Sequence, residues 1–253
     1  LMTVSPVVYI KVMSSTVVET GDSRPQADSS IFQSFWIGGF ECSTHRMRKG
    51  KRLDMIAATR HDEFAEADYE RLLNIGMRTA RDGARWHLIE REPYKYDFSS
   101  LKNQTQAARK TGIQIVWDIF HYGYPDDLDI FSSEFIERFT AFAASVAEFL
   151  AIETKGTLLV CPVNEISFFA WAAGEVGAFY PYAKNRGNEL KRQLLRASMS
   201  AARAIRAENS EIRLVQTDPA IHVVPTEQTS AAKRSAENYR QAQFHAFDAL
   251  CGK

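Results

Sequence analysis

The segments GIQIVWDIFH, residues 112–121, and GTLLVCPVNE, residues 156–165, decide the fold between them. Each opens on a glycine, runs through a nearly continuous apolar stretch, and ends on ionisable or amide side chains. Runs with little in-out alternation suit strands covered on both faces, as in a parallel sheet. The glycines fit the end of a preceding helix, where the chain takes a positive φ at little cost. Between the two segments, Phe135, Phe139, Phe142, Val146 and Phe149 recur at spacings of three and four, one apolar stripe on a helix. The unit is therefore strand, helix, strand.

Working outward, the same unit recurs. Strands are expected over Phe35–Glu41, Met77–Gly83, Ile113–His121, Thr157–Val163 and Ile212–Thr217. Gly76 precedes the second as Gly112 and Gly156 precede the third and fourth, and Leu190, Leu194, Ala201, Ala202 and Ile205 form a helical stripe before the fifth. Repeated βα units imply parallel strands with right-handed crossovers. At this spacing, eight units would take roughly 350–400 residues, within the range of the (β/α)8, or TIM, barrel. The 253 residues hold about five, followed by a helix near Ala236–Leu250. The expected fold class is thus α/β, an incomplete TIM barrel over residues 31–253. Its first and fifth strands would be unpaired edges, which invite aggregation. Residues 1–30 lack periodicity and the long apolar core of a signal peptide, and are expected to be a disordered leader.

Composition narrows the chemistry. The net charge is zero, so no basic footprint points to nucleic acid. No apolar run approaches the ~18 residues of a membrane span. Three widely spaced cysteines (Cys42, Cys161, Cys251) suggest no disulfide framework, which fits a reducing, cytoplasmic setting. The six histidines make no HExxH pattern, CxxC pairs are absent, and neither GxGxxG nor a Walker sequence occurs. No lysine sits at a strand end to form a Schiff base. No metal and no cofactor is expected.

Function in such a barrel gathers at the C-terminal ends of its strands. Those ends carry Glu41 to His45, Arg81 to Trp86, His121, Asn164-Glu165, and Gln216 to His222. Clustered amides, carboxylates and aromatic rings suit a carbohydrate, whose hydroxyls need fixed donors and acceptors and whose ring faces accept stacking. Asp118, inside a strand, is expected to make a structural hydrogen bond, because an unpaired charge there is costly.

In these residues the chain resembles the retaining glycoside hydrolases of the barrel clan, most of all the family 1 β-glycosidases. Asn164-Glu165 is similar to the clan's Asn-Glu signature at the end of strand four. His121-Tyr122-Gly123-Tyr124-Pro125 is similar to the family's His-Trp-Asp-Leu-Pro, and Arg81 with Trp86 matches its Arg-x-x-x-x-Trp. The resemblance implies Glu165 as catalytic acid/base, with Asn164, His121, Arg81, Glu41, His45, Trp86 and Tyr122 around the sugar and no metal. It also implies a nucleophilic Glu after strand seven, which these five units do not include. Three positions depart from the pattern: Ile166 replaces a Pro, His45 falls near a usual Gln, and Tyr122 replaces a Trp. The implied activity is retaining hydrolysis of β-linked O-glycosides. The rival expectation is a carbohydrate-binding or interaction protein on a partial barrel, without catalysis.

Overall fold

A computed structural model describes residues 31–253 and the backbone of residues 7–13. Five parallel strands curl into part of a barrel: β2 (Ile37–Gly39), β3 (Thr79–Gly83), β4 (Gln114–Phe120), β5 (Leu159–Val163) and β6 (Arg213–Ala220). These are the five expected strands, most of them trimmed at their ends. The principal helices are α1 (His61–Asn74), α2 (Lys102–Thr111), α3 (Ser133–Glu153), α4 (Gly187–Glu208), α5 (Ser230–Ala242) and α6 (His245–Leu250). An incomplete α/β TIM barrel is what the chain forms.

One expectation is corrected: the fifth barrel strand has a neighbour on its outer side. Val7–Met13, placed within the disordered leader, forms β1 and pairs antiparallel with β6 from Val7↔Ala220 to Met13↔Leu214. The sheet order is β1-β6-β5-β4-β3-β2, so the fifth barrel strand is not an open edge. The run VVYIKVM is rich in β-branched and aromatic residues, the composition that favours a pleated surface. Residues 1–6 and 14–30, the rest of the expected leader, lie outside the described residues.

Helix α3 shows how sequence sets packing. The Ser132 hydroxyl accepts from the Phe135 N–H at 3.2 Å, satisfying one otherwise orphaned donor of the first turn. Phe135, Phe139, Phe142, Val146 and Leu150 are fully buried against the sheet. Phe149, expected on the same stripe, lies to one side and stacks on Phe98 with ring centres 4.5 Å apart. Gly76 and Gly112 adopt φ of 84° and 77° at the ends of α1 and α2, as their positions called for. Helix α3 instead ends in extended backbone at Thr154, and Gly156, at φ 82°, turns the loop before β5.

On the concave face, Val116, Leu159, Cys161 and Val215 form a separate small cluster against which Ile31 and Phe32 pack. A complete barrel fills this space with layers from all its strands. Here the segment just before β2 covers part of it. Among the described residues no helix is long and apolar enough to cross a membrane.

Candidate active site

The site is built from the C-terminal ends of β3, β4 and β5. Asn164, immediately after β5, is its hub and is buried. Its Oδ1 accepts from Arg81 Nη2 at 2.5 Å and from Thr217 Oγ1 at 2.8 Å. Its Nδ2 donates to Tyr122 Oη at 3.2 Å and faces His121 Nε2 at 3.1 Å. With the amide oxygen fixed by two donors, Nδ2 must be the donor toward His121. His121 Nε2 therefore accepts, and the ring proton lies on Nδ1, 3.2 Å from Asp118 Oδ2. One amide thus ties three strand ends together and sets the tautomer of the histidine.

Glu165 follows in the left-handed region, at φ 48° and ψ 59°. A non-glycine residue there costs about 1–2 kcal/mol. Such strain persists where the surroundings over-determine it, and it concentrates at functional sites. The Glu165 N–H donates to the Thr217 carbonyl at 3.0 Å, and its own carbonyl accepts from Phe169 N at 2.8 Å. Both bonds hold the turn between β5 and the short helix Ile166–Phe169. The side chain is half-buried, and the Tyr122 hydroxyl donates to Oε2. Burial and the adjacent Glu165 carboxylate push the Tyr122 phenol well above its usual range, so it stays a proton donor.

Beneath this pair lies a buried charge network. Arg81 Nη2 bonds Asp118 Oδ2 at 2.6 Å. Burial alone would raise the Asp118 carboxyl, but Arg81 and His121 outweigh it and hold it below the ordinary value. Asp118 thus makes the structural bonds expected of it. Glu41 is exposed at the rim, with Oε1 3.5 Å from His121 Nε2 and accepting from Ser43 N at 3.0 Å. Burial tends to raise its carboxyl, yet attraction to the His121 ring in its charged form and the Ser43 hydrogen bond leave it lowered. Asp218, on β6, is fully buried and accepts from Ser167 N with both oxygens, at 3.2 and 3.1 Å. Burial, with the Glu165 charge adding to it, pushes Asp218 up to about 6 against the Ser167 hydrogen bonds.

The structure brings Glu165, Asn164, Tyr122, His121, Arg81 and Glu41 together. It sets two expected residues apart. Trp86 is fully buried on the helix side of the sheet, stacked on Phe142 at 5.0 Å, with its indole N–H donating to Glu90. The chain turns into the short helix Trp86–Ile89 just past β3, and that turn swings the ring into the core. His45 packs against Phe179 at 4.5 Å rather than joining the network, and burial lowers its pKa. Gln216 is spent on the Val163 and Thr217 carbonyls, and His222 is exposed. Reading by strand ends missed Phe169, which stacks on Tyr122 at 4.8 Å, and Phe168 and Phe179 beside it. The run FFAW (168–171) after Asn164-Glu165 was the available signal.

Two open clefts lie elsewhere among the described residues. Each is about 300 Å³ or slightly less, at the N-terminal ends of the strands around Gly112, Gly156 and Thr157. We take the strand-end network rather than these clefts as the site, because barrel chemistry is carried on the opposite rim.

The fold has counterparts among solved structures. SghA, a virulence factor of Agrobacterium tumefaciens, superposes with a TM-score of 0.64 over 74% of this chain at 18% identity. A β-glucosidase from Thermotoga maritima superposes with a TM-score of 0.62 over 72% at 16% identity. The chain has the fold of part of a β-glucosidase barrel. It spans 43% of the length of each of these structures. SghA has been solved with its substrate analogue salicin, and the T. maritima enzyme with glucoimidazole. No family model and no curated protein matches the sequence.

Proposed function

We propose that this chain carries the acid/base half of a retaining β-glycosidase site, with Glu165 as general acid/base. The observation that supports it most is the strained, half-buried Glu165 at the end of β5, held by the Tyr122 hydroxyl beside Asn164. A retaining enzyme needs two carboxyl groups about 5–5.5 Å apart, one to protonate the leaving oxygen and one to attack the anomeric carbon. Tyr122 occupies Oε2, which leaves Oε1 to carry the proton toward a glycosidic oxygen. Once the attacking carboxylate is glycosylated, Glu165 serves as base toward water. On this reading the nucleophile belongs to the seventh strand of a whole barrel, and Arg81 and His121 support the sugar and that nucleophile. The substrate is a neutral β-glycoside, with no metal in the hydrolytic step.

One observation favours the second reading, carbohydrate binding without turnover. All four hydrogen-bonding positions of the Asn164 amide are already taken within the chain. On that reading Asn164 organises the rim and makes no bond to a sugar.

Both readings are tested by calorimetric titration of the chain with glucoimidazole. The acid/base reading expects saturable binding that weakens at least about tenfold in Glu165→Gln, since a hydrogen bond to a charged group is worth about 1.5–3 kcal/mol. Binding unchanged in Glu165→Gln but lost in Asn164→Ala favours the second reading. No saturable binding overturns both.

A further inference from the structure

Cys42, Asp118 and His121 meet under the rim, and the hydrolytic reading gives the thiol no task. Cys42 Sγ is 3.0 Å from His121 Nδ1 and 3.7 Å from Asp118 Oδ2, and those last two atoms are 3.2 Å apart. Around a tetrahedral zinc ion, with Zn–S about 2.3 Å and Zn–N and Zn–O about 2.0 Å, ligand atoms lie about 3.3–3.6 Å from one another. The three observed separations straddle that range, so shifts of a few tenths of an ångström reach it. Cys42 and Asp118 are buried, and Asp118 Oδ1 is buried with no hydrogen-bond partner. Among the described residues this is the one group of three or more such side chains with the required spacing.

The surroundings hold these atoms in place. A Cβ on Gly83 would lie 2.5 Å from Cys42 Sγ, so only glycine there leaves the thiol its position. On the far side of the imidazole, Glu41 Oε1 lies 3.5 Å from Nε2. A carboxylate behind a ligating histidine is the usual outer support of a protein zinc ion. Arg81 bonds Asp118 Oδ2 at 2.6 Å and opposes a cation. Asp118 Oδ2 keeps its bond to Arg81, and the metal would take the place of its contacts with His121 Nδ1 and Cys42 Sγ.

We propose that Cys42, Asp118 and His121 form a zinc-binding site, with the fourth position open to water. The sequence reading expects no metal because its ligands come from positions 42, 118 and 121, which share no short motif. On binding, the Cys42 thiol proton leaves to solvent, and the His121 proton moves from Nδ1 to Nε2, where Glu41 accepts it. The Asn164 Nδ2 bond to Nε2 is then displaced, so metal loading and the metal-free rim network exclude each other. The site stands or falls on metal binding alone, whatever Glu165 does to a glycoside.

The experiment titrates the reduced 253-residue chain with Co(II), followed by displacement with Zn(II). We expect one equivalent bound, a thiolate-to-cobalt charge-transfer band, and loss of that band on adding zinc. Cys42→Ser should abolish the band and Cys251→Ser should leave it. Should Cys42→Ser fail to fold, His121→Ala decides, with affinity at least tenfold weaker and some thiolate band retained. No thiolate band in the unsubstituted chain overturns the proposal. So does a band that survives Cys42→Ser, one that vanishes in Cys251→Ser, or an affinity unchanged in His121→Ala.

Discussion

Asp218→Asn should change how stability depends on pH far more than it changes the structure. The carboxylate is fully buried on β6, accepts twice from Ser167 N, and sits near the Glu165 charge. Lys191 also faces it, but burial pushes that amine down. Burial raises Asp218 from 3.8 to about 6. In the folded state the group therefore holds its proton more tightly than in the unfolded chain. Its contribution to stability is fully present below about pH 4 and is lost as pH rises through about 6. At about 1.4 kcal/mol per pKa unit, the loss is about 3 kcal/mol. Asparagine keeps an oxygen to accept from Ser167 and carries no charge to desolvate. The variant should thus gain about 3 kcal/mol on the unsubstituted chain between pH 4 and pH 7. Urea unfolding at a series of pH values reads this as a growing separation of midpoints, about 1–2 M at pH 7 relative to pH 4. Glu165→Gln should shrink the same slope by removing a charge that raises Asp218. A separation that stays constant from pH 4 to pH 7 refutes the reasoning.

Other substitutions probe the rest of the frame. Arg138→Met should destabilise by about 3–5 kcal/mol in urea unfolding, because it leaves the buried Glu90 carboxylate without the guanidinium 3.1 Å away. Gly83→Ala should cost about 1–3 kcal/mol, since its Cβ would press on Cys42 Sγ and on Cys42 Cβ at 2.8 Å. A stability within 0.5 kcal/mol of the parent, a rough threshold for a neutral surface change, would show that this contact is not tight. Removing residues 1–13 should uncover the β6 edge and raise the aggregation rate seen by light scattering, with no change expected if the β1 pairing is unimportant.

The five parallel strands were legible because glycine stops and unbroken apolar runs are local signals. The same holds for the stripe on α3, whose Phe135, Phe139 and Phe142 point where their spacing says. Strand β1 was not legible, because its partner, β6, lies some two hundred residues away and nothing local marks the pairing. At the site, Asn164, Glu165, His121, Arg81 and Glu41 could be found from strand ends, whereas Tyr122 came from the family resemblance. Trp86 could not be placed, since a short helical turn past β3 decides which side of the sheet it meets. Cys42 was read only as one of three widely spaced cysteines. Its closeness to Asp118 and His121 depends on where the loop after β2 crosses β4, which no spacing encodes.

The most direct test follows amide signals by NMR while the sugar analogue is added. Its ring should shift the Glu165 backbone amide and the Asn164 side-chain NH2 pair, which His121 Nε2 and Tyr122 Oη now hold. Shifts confined to the opposite rim, around Gly112 and Gly156, would contradict the placement of a sugar at the end of β5.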